Sequence, residues 1–488
     1  MLLKFIGSAC AVVILLSAAG FAAEGEDVNA RGPDGTTALH WAVRANDLAK
    51  AEALLRAGAD AKAADRYGVT PLYLACVNGS AAMISKLLTA GADANAVDPA
   101  GETALMTATR TGTPDALKAL IDRGAKVNAA DAEFQQTALM LAVRENHPDA
   151  VKVLIEHGAT LNARTRTGET PAFRLPCKGT GCGSEGVGIN RGGVPDRGAR
   201  GATPGGMSSL LYAARDGRPD EARLLVAAAA DVNLADPNGI SPLLNAILNN
   251  HIDVARLLLD HGAEVNAPDF WGRTPLWAAV ELRTMDLDRG LDVGVDRPAA
   301  LDFVKLLLER GANINARTKE LHPQRRWLYS LGDVSWVDMT GQTPFLRAAL
   351  SGDLTLMHLL LDRGADPNIP TLGGTTALMA AAGVNWTVAQ TYTVSKEAQL
   401  EAVRLCLAKG GDVNAVNSMG LTAVMGAANR GSDDIIQFLV DKGARVDVKD
   451  ASGRTPVAWA EGVFLASVGA ERKPSTVALL QKLTGTSK

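Results

Sequence analysis

The chain has 488 residues, of which 47% are hydrophobic, 21% charged and 4% aromatic. A formal net charge of −4 excludes the strong positive field that recruits nucleic acid or anionic lipid, and five cysteines are too few for a disulfide scaffold. Length alone predicts about three domains, and the 49 glycines and 21 prolines are typical of a folded chain rather than a collagen-like or disordered one.

The first element in chain order is an apolar segment. Lys4 precedes a stretch from Phe5 to Leu16 that leads into small residues, the order typical of a secretory signal peptide. We predict cleavage after Ala22, so that residues 1–22 are removed and the mature protein is exported; retention as an N-terminal anchor is the alternative. No later stretch reaches the ~18 consecutive apolar residues that a further membrane span needs.

The rest of the chain repeats one pattern. A first string reads Gly-x-Thr/Ser-Pro/Ala-Leu, with Ala three residues later. A second string, of the type LLTAGADANA, follows it at a fixed offset. Most uninterrupted copies lie 33 residues apart, which indicates stacked structural units. The first string starts at Gly35, Gly68, Gly101, Gly206, Gly239, Gly272, Gly341, Gly374, Gly420 and Gly453, with a variant at Gln135.

Each repeat predicts two short helices. Thr or Ser caps the first helix, and Pro at its first position loses no hydrogen bond. Leu and Ala at helical spacing give this helix an apolar face. The second helix carries a leucine stripe and ends at a glycine, such as Gly58 or Gly91, which can adopt a left-handed backbone. Because one such pair is too small to bury its apolar face, neighbouring pairs must stack.

These strings resemble the TPLHxAA, LL and GADVNA elements of the ankyrin repeat. The resemblance covers about Asp27 to Leu483, in eleven full copies and one interrupted copy. It implies an all-α ankyrin-repeat solenoid with an extended concave groove that binds a protein partner. The family's His after TPL survives only as His40, so we expect apolar contacts to replace most of the polar network between repeats. Similarity to exported bacterial ankyrin proteins implies a periplasmic or secreted protein, and we expect a monomer.

The period breaks at four places, and insertions on a regular scaffold are where function concentrates. The longest break is glycine-rich and replaces the second helix of the repeat that opens at Gly168. The predicted organisation is N-terminal repeats over 23–167, an interruption over 168–205 and C-terminal repeats over 206–488, with insertions at about 283–299, 317–339 and 384–397.

The glycine-rich interruption carries Cys177 and Cys182. Disulfides persist in exported proteins, so we predict a small local disulfide between them. A metal pair is the less favoured reading, because no second cysteine pair or nearby histidine completes four ligands. Cys76 and Cys406 fall on buried positions of distant repeats and are predicted to be free thiols.

The insertion over 317–339 combines cationic and aromatic residues in a chain that is otherwise poor in aromatics. Arg325 and Arg326 stand beside Trp327, and Trp336 follows. Arginine and aromatic side chains dominate binding hot spots, so this segment is a candidate partner-binding loop. The alternative is that the two tryptophans fold the insertion back onto the repeats.

One position of the repeat, directly after the alanine pair of the first helix, also carries candidate binding residues. In the ankyrin family it faces the concave groove, so the resemblance implies a groove that is basic in its N-terminal half, more apolar later, and suited to an acidic partner. Alternatively, the arginines pair with neighbours such as Glu145 and Asp216. Directly after the alanine pair of the first helix, this position holds Arg44, Arg110, Arg144 and Arg215, then Leu248 and Leu350.

No esterase elbow, P-loop, zinc-protease helix or c-type haem motif occurs in the sequence. We therefore predict a non-enzymatic interaction scaffold of the cell envelope, without a cofactor, that binds a protein through the groove and the inserted loops. The first alternative is a small-ligand or metal handling protein that uses the loop of Cys177 and Cys182. The second is a hydrolase assembled from separate insertions.

Overall fold

The computed structural model describes residues 27–98, 101–168, 205–284, 296–320, 337–385, 395–463 and 470–485. These ranges contain 22 α-helices and, apart from isolated bridges, no β-strand. The predicted signal peptide, Cys177, Cys182 and the cluster from Arg325 to Trp336 lie outside the described residues.

The helices alternate between two roles, as the repeat pattern predicts. The first helices of the repeats are α1 Ala38–Arg44, α3 Pro71–Val77, α5 Ala104–Thr109, α7 Ala138–Arg144, α9 Ser209–Asp216, α11 Pro242–Leu248, α13 Pro275–Thr284, α15 Pro344–Ser351, α17 Ala377–Ala382, α19 Ala423–Arg430 and α21 Pro456–Ala460. The second helices are α2 Leu48–Arg56, α4 Ala81–Thr89, α6 Pro114–Ile121, α8 Pro148–Glu156, α10 Pro219–Ala227, α12 Ile252–Asp260, α14 Arg297–Glu309, α16 Leu354–Asp362, α18 Lys396–Ala408, α20 Asp433–Asp441 and α22 Pro474–Leu483.

The ends of the helices follow the predicted capping chemistry. Thr70 accepts a hydrogen bond from the backbone N–H of Tyr73, and Pro71 occupies the first position of α3, where its missing N–H costs nothing. Beyond α2 and α4 the chain turns at Gly58 and Gly91, whose φ values of +90° and +95° lie in the left-handed region. Other residues adopt this region only with strain, so glycine sets where each second helix stops.

The chain forms two compact units, residues 1–126 and 127–488. In the N-terminal unit, α1, α3 and α5 pack side by side and α2, α4 and α6 form the adjoining row. The C-terminal unit has the same arrangement within itself, from α7 to α22. Its first helices contact one another in unbroken sequence, so each unit is an all-α array of helix pairs.

The core of each array is built from equivalent residues of successive repeats. In the N-terminal unit Leu39, Leu72 and Leu105 have at most 1% of their surface exposed. Leu87 and Leu120 of the second helices are completely buried. Each of these leucines contributes about 1.5–3 kcal/mol through burial, and this burial depends on the neighbouring repeat.

A ladder of asparagine side chains ties consecutive repeats together. Asn95 donates from Nδ2 to the carbonyl of Gly124 at 2.9 Å, and its Oδ1 accepts the N–H of Lys126 at 2.8 Å. One amide thus satisfies both the last carbonyl after one helix pair and the N–H two residues further on. The same two bonds are made by Asn29, Asn128, Asn233, Asn266 and Asn414.

The described residues that flank the glycine-rich interruption are joined by backbone hydrogen bonds. The N–H of Thr165 donates to the carbonyl of Met207 at 3.0 Å, and the N–H of Gly206 donates to the carbonyl of Thr165 at 3.2 Å. Helices α7 and α8 contact α9 and α10 directly. The helix pairs on either side of residues 169–204 are therefore direct neighbours.

The insertions at 283–299 and 384–397 are bounded by elongated second helices. Both α14 and α18 have 13 residues, compared with 9 in α12 and α16. Helix α13 ends at Thr284 and α14 begins at Arg297, so part of the first predicted insertion is helical. The insertion at 317–339 departs from the turn before α15, where the N–H of Thr318 donates to the carbonyl of Gln342 at 3.1 Å.

Candidate functional site

The register position that the sequence singles out lies at or beyond the C-terminal end of the first helices. Arg44 and Arg144 are the last residues of α1 and α7, Arg215 is in the last turn of α9, and Arg110 follows α5 directly. Helix C-termini carry partial negative charge, which favours a cation there. Arg44 and Arg110 belong to the N-terminal unit, and Arg144 and Arg215 to the C-terminal unit.

Arg44 lies on an exposed aromatic ring. Its guanidinium carbon is 5.7 Å from the centroid of Trp41, whose side chain is 55% exposed. A cavity of about 500 Å³ opens beside them, between α1, α3 and the turn before α3. Its lining includes Trp41, Arg44, Asp65, Tyr73 and Val77. Arg44 thus joins a cationic, aromatic and partly apolar surface that faces solvent.

Arg110 is held by an acidic neighbour. Its guanidinium forms an ion pair with Glu102, with Nε donating to Oε2 at 3.3 Å and Nη2 donating to Oε1. The two side chains are 43% and 25% exposed, so solvent screening keeps the gain in stability small. The pair nevertheless neutralises the charge that a partner would meet at this position.

Arg144 and Arg215 share one tyrosine. Their guanidinium carbons lie 5.6 Å and 4.8 Å from the ring centroid of Tyr212, which is 6% exposed. Arg144 also donates to Oε1 of Gln136 at 3.0 Å. Arg215 makes two bonds to Asp216, at 2.7 Å and 2.8 Å. Burial opposes the charge of Arg215, and the hydrogen bonds and charge of Asp216 outweigh it, so the pKa of the guanidinium is raised.

The two leucines at the same position of the repeat are buried and not exposed to solvent. Leu248 ends α11 and is 7% exposed, and Leu350 in α15 is 2% exposed. The pairing of Arg215 with Asp216, which the sequence offered as the alternative to a basic groove, is present. Arg44 is therefore exposed on an aromatic ring, whereas Arg110, Arg144 and Arg215 form hydrogen bonds or ion pairs with side chains of the same chain.

The candidate loop residues Arg325, Arg326, Trp327 and Trp336 lie outside the described residues, as do Cys177 and Cys182. The described end of that insertion packs against another repeat. Val337 is 4% exposed, and its N–H donates to Oδ1 of Asn385 at 3.3 Å.

The two described cysteines are buried thiols, as predicted. Cys76 and Cys406 are 0% and 2% exposed, and burial raises the pKa of each thiol to about 12. A thiol with so high a pKa carries almost no reactive thiolate at neutral pH. Within the described ranges, no group of three or more His, Cys, Asp or Glu side chains is arranged to hold a metal ion.

His40 keeps a polar bond between repeats. Its Nδ1 accepts the N–H of Thr37 at 3.1 Å, so the ring proton is on Nε2, which donates to the carbonyl of Val69 at 3.1 Å. At the equivalent position Met106 reaches only its own helix cap, with Sδ 3.4 Å from the N–H of Thr103. The exchange of His for Met thus removes the bond to the next repeat and keeps the cap.

Sequence reasoning overlooked two features that the structure makes prominent. The exposure of Trp41 and the cavity beside it could not be deduced from a position inside an apolar helix. The second feature is the asparagine ladder, which the sequence analysis does not predict. The recurrence of Asn three residues after the Ala that follows the helix-ending glycine was a usable signal for it.

In the described part of the chain, no helix is both long and apolar enough to cross a membrane.

Comparison with known proteins places these observations in a family. The family model described as ankyrin repeats (3 copies) matches residues 4–98, 82–165, 210–318 and 391–462, and a single ankyrin repeat model matches 340–369. The first match begins inside the predicted signal segment 1–22. Among solved structures, the crystal structure of the ankyrin repeat domain of Bcl-3, a unique member of the IkappaB protein family, is 23% identical. That match covers 56% of this chain and 99% of that one, with a TM-score of 0.41.

Proposed function

The chain belongs to the ankyrin-repeat family, and from that premise we propose that it is an exported, non-enzymatic scaffold of the cell envelope. Ankyrin repeats generally mediate protein–protein interactions, and each unit has a row of adjacent first helices that such binding can use. We assign partner binding to the first-helix surface and to the inserted loops.

One observation carries this proposal. On the first helices, arginines lie beside aromatic rings. Arg44 lies on the exposed ring of Trp41 in the N-terminal unit, and Arg144 and Arg215 lie at the 6% exposed ring of Tyr212 in the C-terminal unit. These residue types dominate binding hot spots. Trp41 and Arg44 are exposed and therefore contribute little to the apolar core, which the buried leucines supply.

Export is the part of the proposal that rests on the sequence of residues 1–22. Fractionation of the producing cell, followed by N-terminal sequencing of the exported protein, tests it. A chain that begins directly after Ala22 supports a cleaved signal. A chain that stays in the cytoplasm with its N-terminus intact contradicts the cell-envelope assignment.

Affinity capture tests partner binding. The mature chain is immobilised, incubated with the exported fraction, and the retained proteins are identified by mass spectrometry. Charge reversal at Arg110 and Arg144 should slow association with an acidic partner, more at low than at high salt. The control variant reverses Arg56 and Arg123, which lie in and just after second helices, and should associate normally.

The inserted loop has a separate test. Replacement of Arg325, Arg326 and Trp327 by Ala should weaken capture and leave the helix content, measured by circular dichroism, unchanged. Unchanged capture removes the loop from the proposal. A chain that captures no protein and instead turns over a substrate overturns the scaffold function itself.

A further inference from the structure

We propose that a surface formed by Trp41, Arg44, Tyr73, Leu74 and Val77, the Trp41 surface, recognises a short peptide segment of the partner. The segment carries a bulky apolar side chain close to a carboxylate. This inference rests on the proposed function, because it names the partner chemistry that one part of the first-helix surface fits.

The apolar half of the Trp41 surface contains the exposed member of the four tryptophans that the structure describes. Trp41 and Val77 are 55% and 49% exposed, whereas Trp271, Trp277 and Trp459 are each 1% exposed. An exposed tryptophan leaves a large apolar area in water, and a partner that covers it gains hydrophobic stabilisation. The adjoining cavity of about 500 Å³ is large enough to accept a Leu, Phe or Met side chain together with its backbone.

The charged half of the surface is Arg44. In the described part of the chain its guanidinium contacts the Trp41 ring, and no carboxylate forms an ion pair with it. The register equivalents Arg110 and Arg215 are neutralised by Glu102 and Asp216. A guanidinium that lies on an aromatic ring keeps its N–H edges free to bind a carboxylate. Charge complementarity therefore favours an acidic partner here more than at Arg110 or Arg215.

The turn from Asp65 to Val69, which lines the cavity, is held in place by hydrogen bonds within the chain. Asp65 accepts the N–H groups of Tyr67 and Val69 through Oδ1, at 2.8 Å and 2.9 Å. The carbonyl of Val69 in turn accepts the bond from Nε2 of His40. A turn held on both sides loses little conformational freedom when a ligand binds, which favours affinity.

The extent of the surface indicates the length of the segment. Its residues come from the first helices α1 and α3 of adjacent repeats, which lie about 10 Å apart. An extended peptide covers that distance in about three residues at ~3.3 Å each. The apolar side chain and the carboxylate should therefore be one to three residues apart in the partner.

Selection from a random library of twelve-residue peptides displayed on phage tests this chemistry directly. The mature chain is the target, and the double variant Trp41→Ser/Arg44→Glu is compared with it. Both replaced residues are exposed, so the variant should fold, which its thermal unfolding curve checks. The matched control Phe270→Ser/Arg56→Glu removes one exposed aromatic ring and reverses one exposed arginine elsewhere.

We expect the enriched peptides to carry Asp or Glu within three residues of Leu, Phe, Met or Trp. The double variant should bind them at least ~30-fold more weakly, the effect of losing one hot spot, and the control variant should bind them normally. Basic or neutral enriched peptides, equal binding by the double variant, or no enrichment at all would overturn the inference. If the double variant still captures the partner of the intact chain, the Trp41 surface fails while the scaffold function stands. If the intact chain captures no partner, the scaffold function itself fails.

Discussion

An aromatic residue precedes the glycine that opens the repeat at Gly68 in the N-terminal unit and at Gly272 in the C-terminal unit. The two aromatic side chains differ in exposure. Tyr67 in the N-terminal unit is 58% exposed, whereas Trp271 in the C-terminal unit is 1% exposed. The ring of Trp271 meets that of Phe270 edge-on at 5.6 Å and lies 5.2 Å from the guanidinium carbon of Arg273. Since the register is the same, the neighbours of the ring and not the repeat decide whether it is buried.

The residue after this glycine, Val69 in one repeat and Arg273 in the other, explains much of the difference in exposure between Tyr67 and Trp271. Arg273 forms an ion pair with Asp269 at 2.7 Å, with side chains that are 4% and 0% exposed. In the N-terminal unit the equivalent residues are Asp65 and Val69, and valine offers no charge to bury. The turn at Gly272 thus packs Trp271 and Arg273 into the unit. The turn at Gly68 leaves Tyr67 in solvent, where a partner can reach it.

Breaking the buried pair should have the largest effect. Asp269→Ala leaves the charge of Arg273 buried without its counter-ion, which costs about 3–5 kcal/mol. The free energy of unfolding of the C-terminal unit, measured by urea unfolding through the fluorescence of its buried tryptophans, should fall by that amount. The control Asp220→Ala removes a 68% exposed carboxylate of the same unit and should cost less than ~0.5 kcal/mol. Equal losses in the two variants would show that the buried pair does not stabilise the turn.

The asparagine ladder should matter equally in both units. Asn95→Ala in the N-terminal unit and Asn233→Ala in the C-terminal unit each remove two bonds between repeats. At about 0.5–1.5 kcal/mol per net hydrogen bond, the loss of two bonds should lower the unfolding free energy by about 1–3 kcal/mol. A loss in one unit alone, measured by urea unfolding, would show that the scaffold differs between the units as well as the surface.

The ladder can also be extended. Lys62 stands where Asn95 and Asn233 stand in their repeats. Lys62→Asn should supply the missing amide and raise the unfolding free energy of the N-terminal unit by about 0.5–1 kcal/mol. Lys62→Ala serves as the control, because it removes the lysine without adding a donor or acceptor. If the two variants are equally stable, the amide has not joined the ladder.

The fold could be predicted from the sequence because it depends on local and periodic signals. Thr70 and Pro71 start a helix, Gly58 and Gly91 end one, and leucines at a spacing of 33 residues supply the contacts between neighbours. In an array, each repeat contacts only the next, so no long-range pairing had to be guessed. The family and the all-α helix pairs were confirmed for this reason.

The site was less predictable because exposure and pairing depend on side chains from different repeats. The register placed Arg44 and Arg110 alike, yet Glu102 neutralises only the second. Leu248 was expected to line the groove and is packed at 7% exposure. Neither outcome follows from a single repeat, because each depends on the direction of a neighbouring side chain.

Histidines extend the comparison of the two units to pH and give the smallest expected effect. His251 in the C-terminal unit donates from Nε2 to the carbonyl of Arg215 at 3.1 Å and packs against Gly217. A Cβ at Gly217 would lie 2.4 Å from Nδ1 of His251, so the ring fits only against glycine. Burial lowers the pKa of His251 below its usual value of about 6.5.

The lowered pKa fixes the sign of the pH dependence. Between the pKa of folded His251 and about 6.5, the unfolded chain binds more protons, so stability increases with pH across this window. The contribution of the neutral ring is complete above about pH 6.5 and is lost as the pH falls through the lowered pKa. The change should stay below about 1 kcal/mol. It is measured as the difference in unfolding free energy between the intact chain and His251→Asn at about pH 7 and about pH 5. Other titrating groups cancel in that difference, so an advantage of the intact chain that grows on acidification would contradict the buried, neutral state of His251.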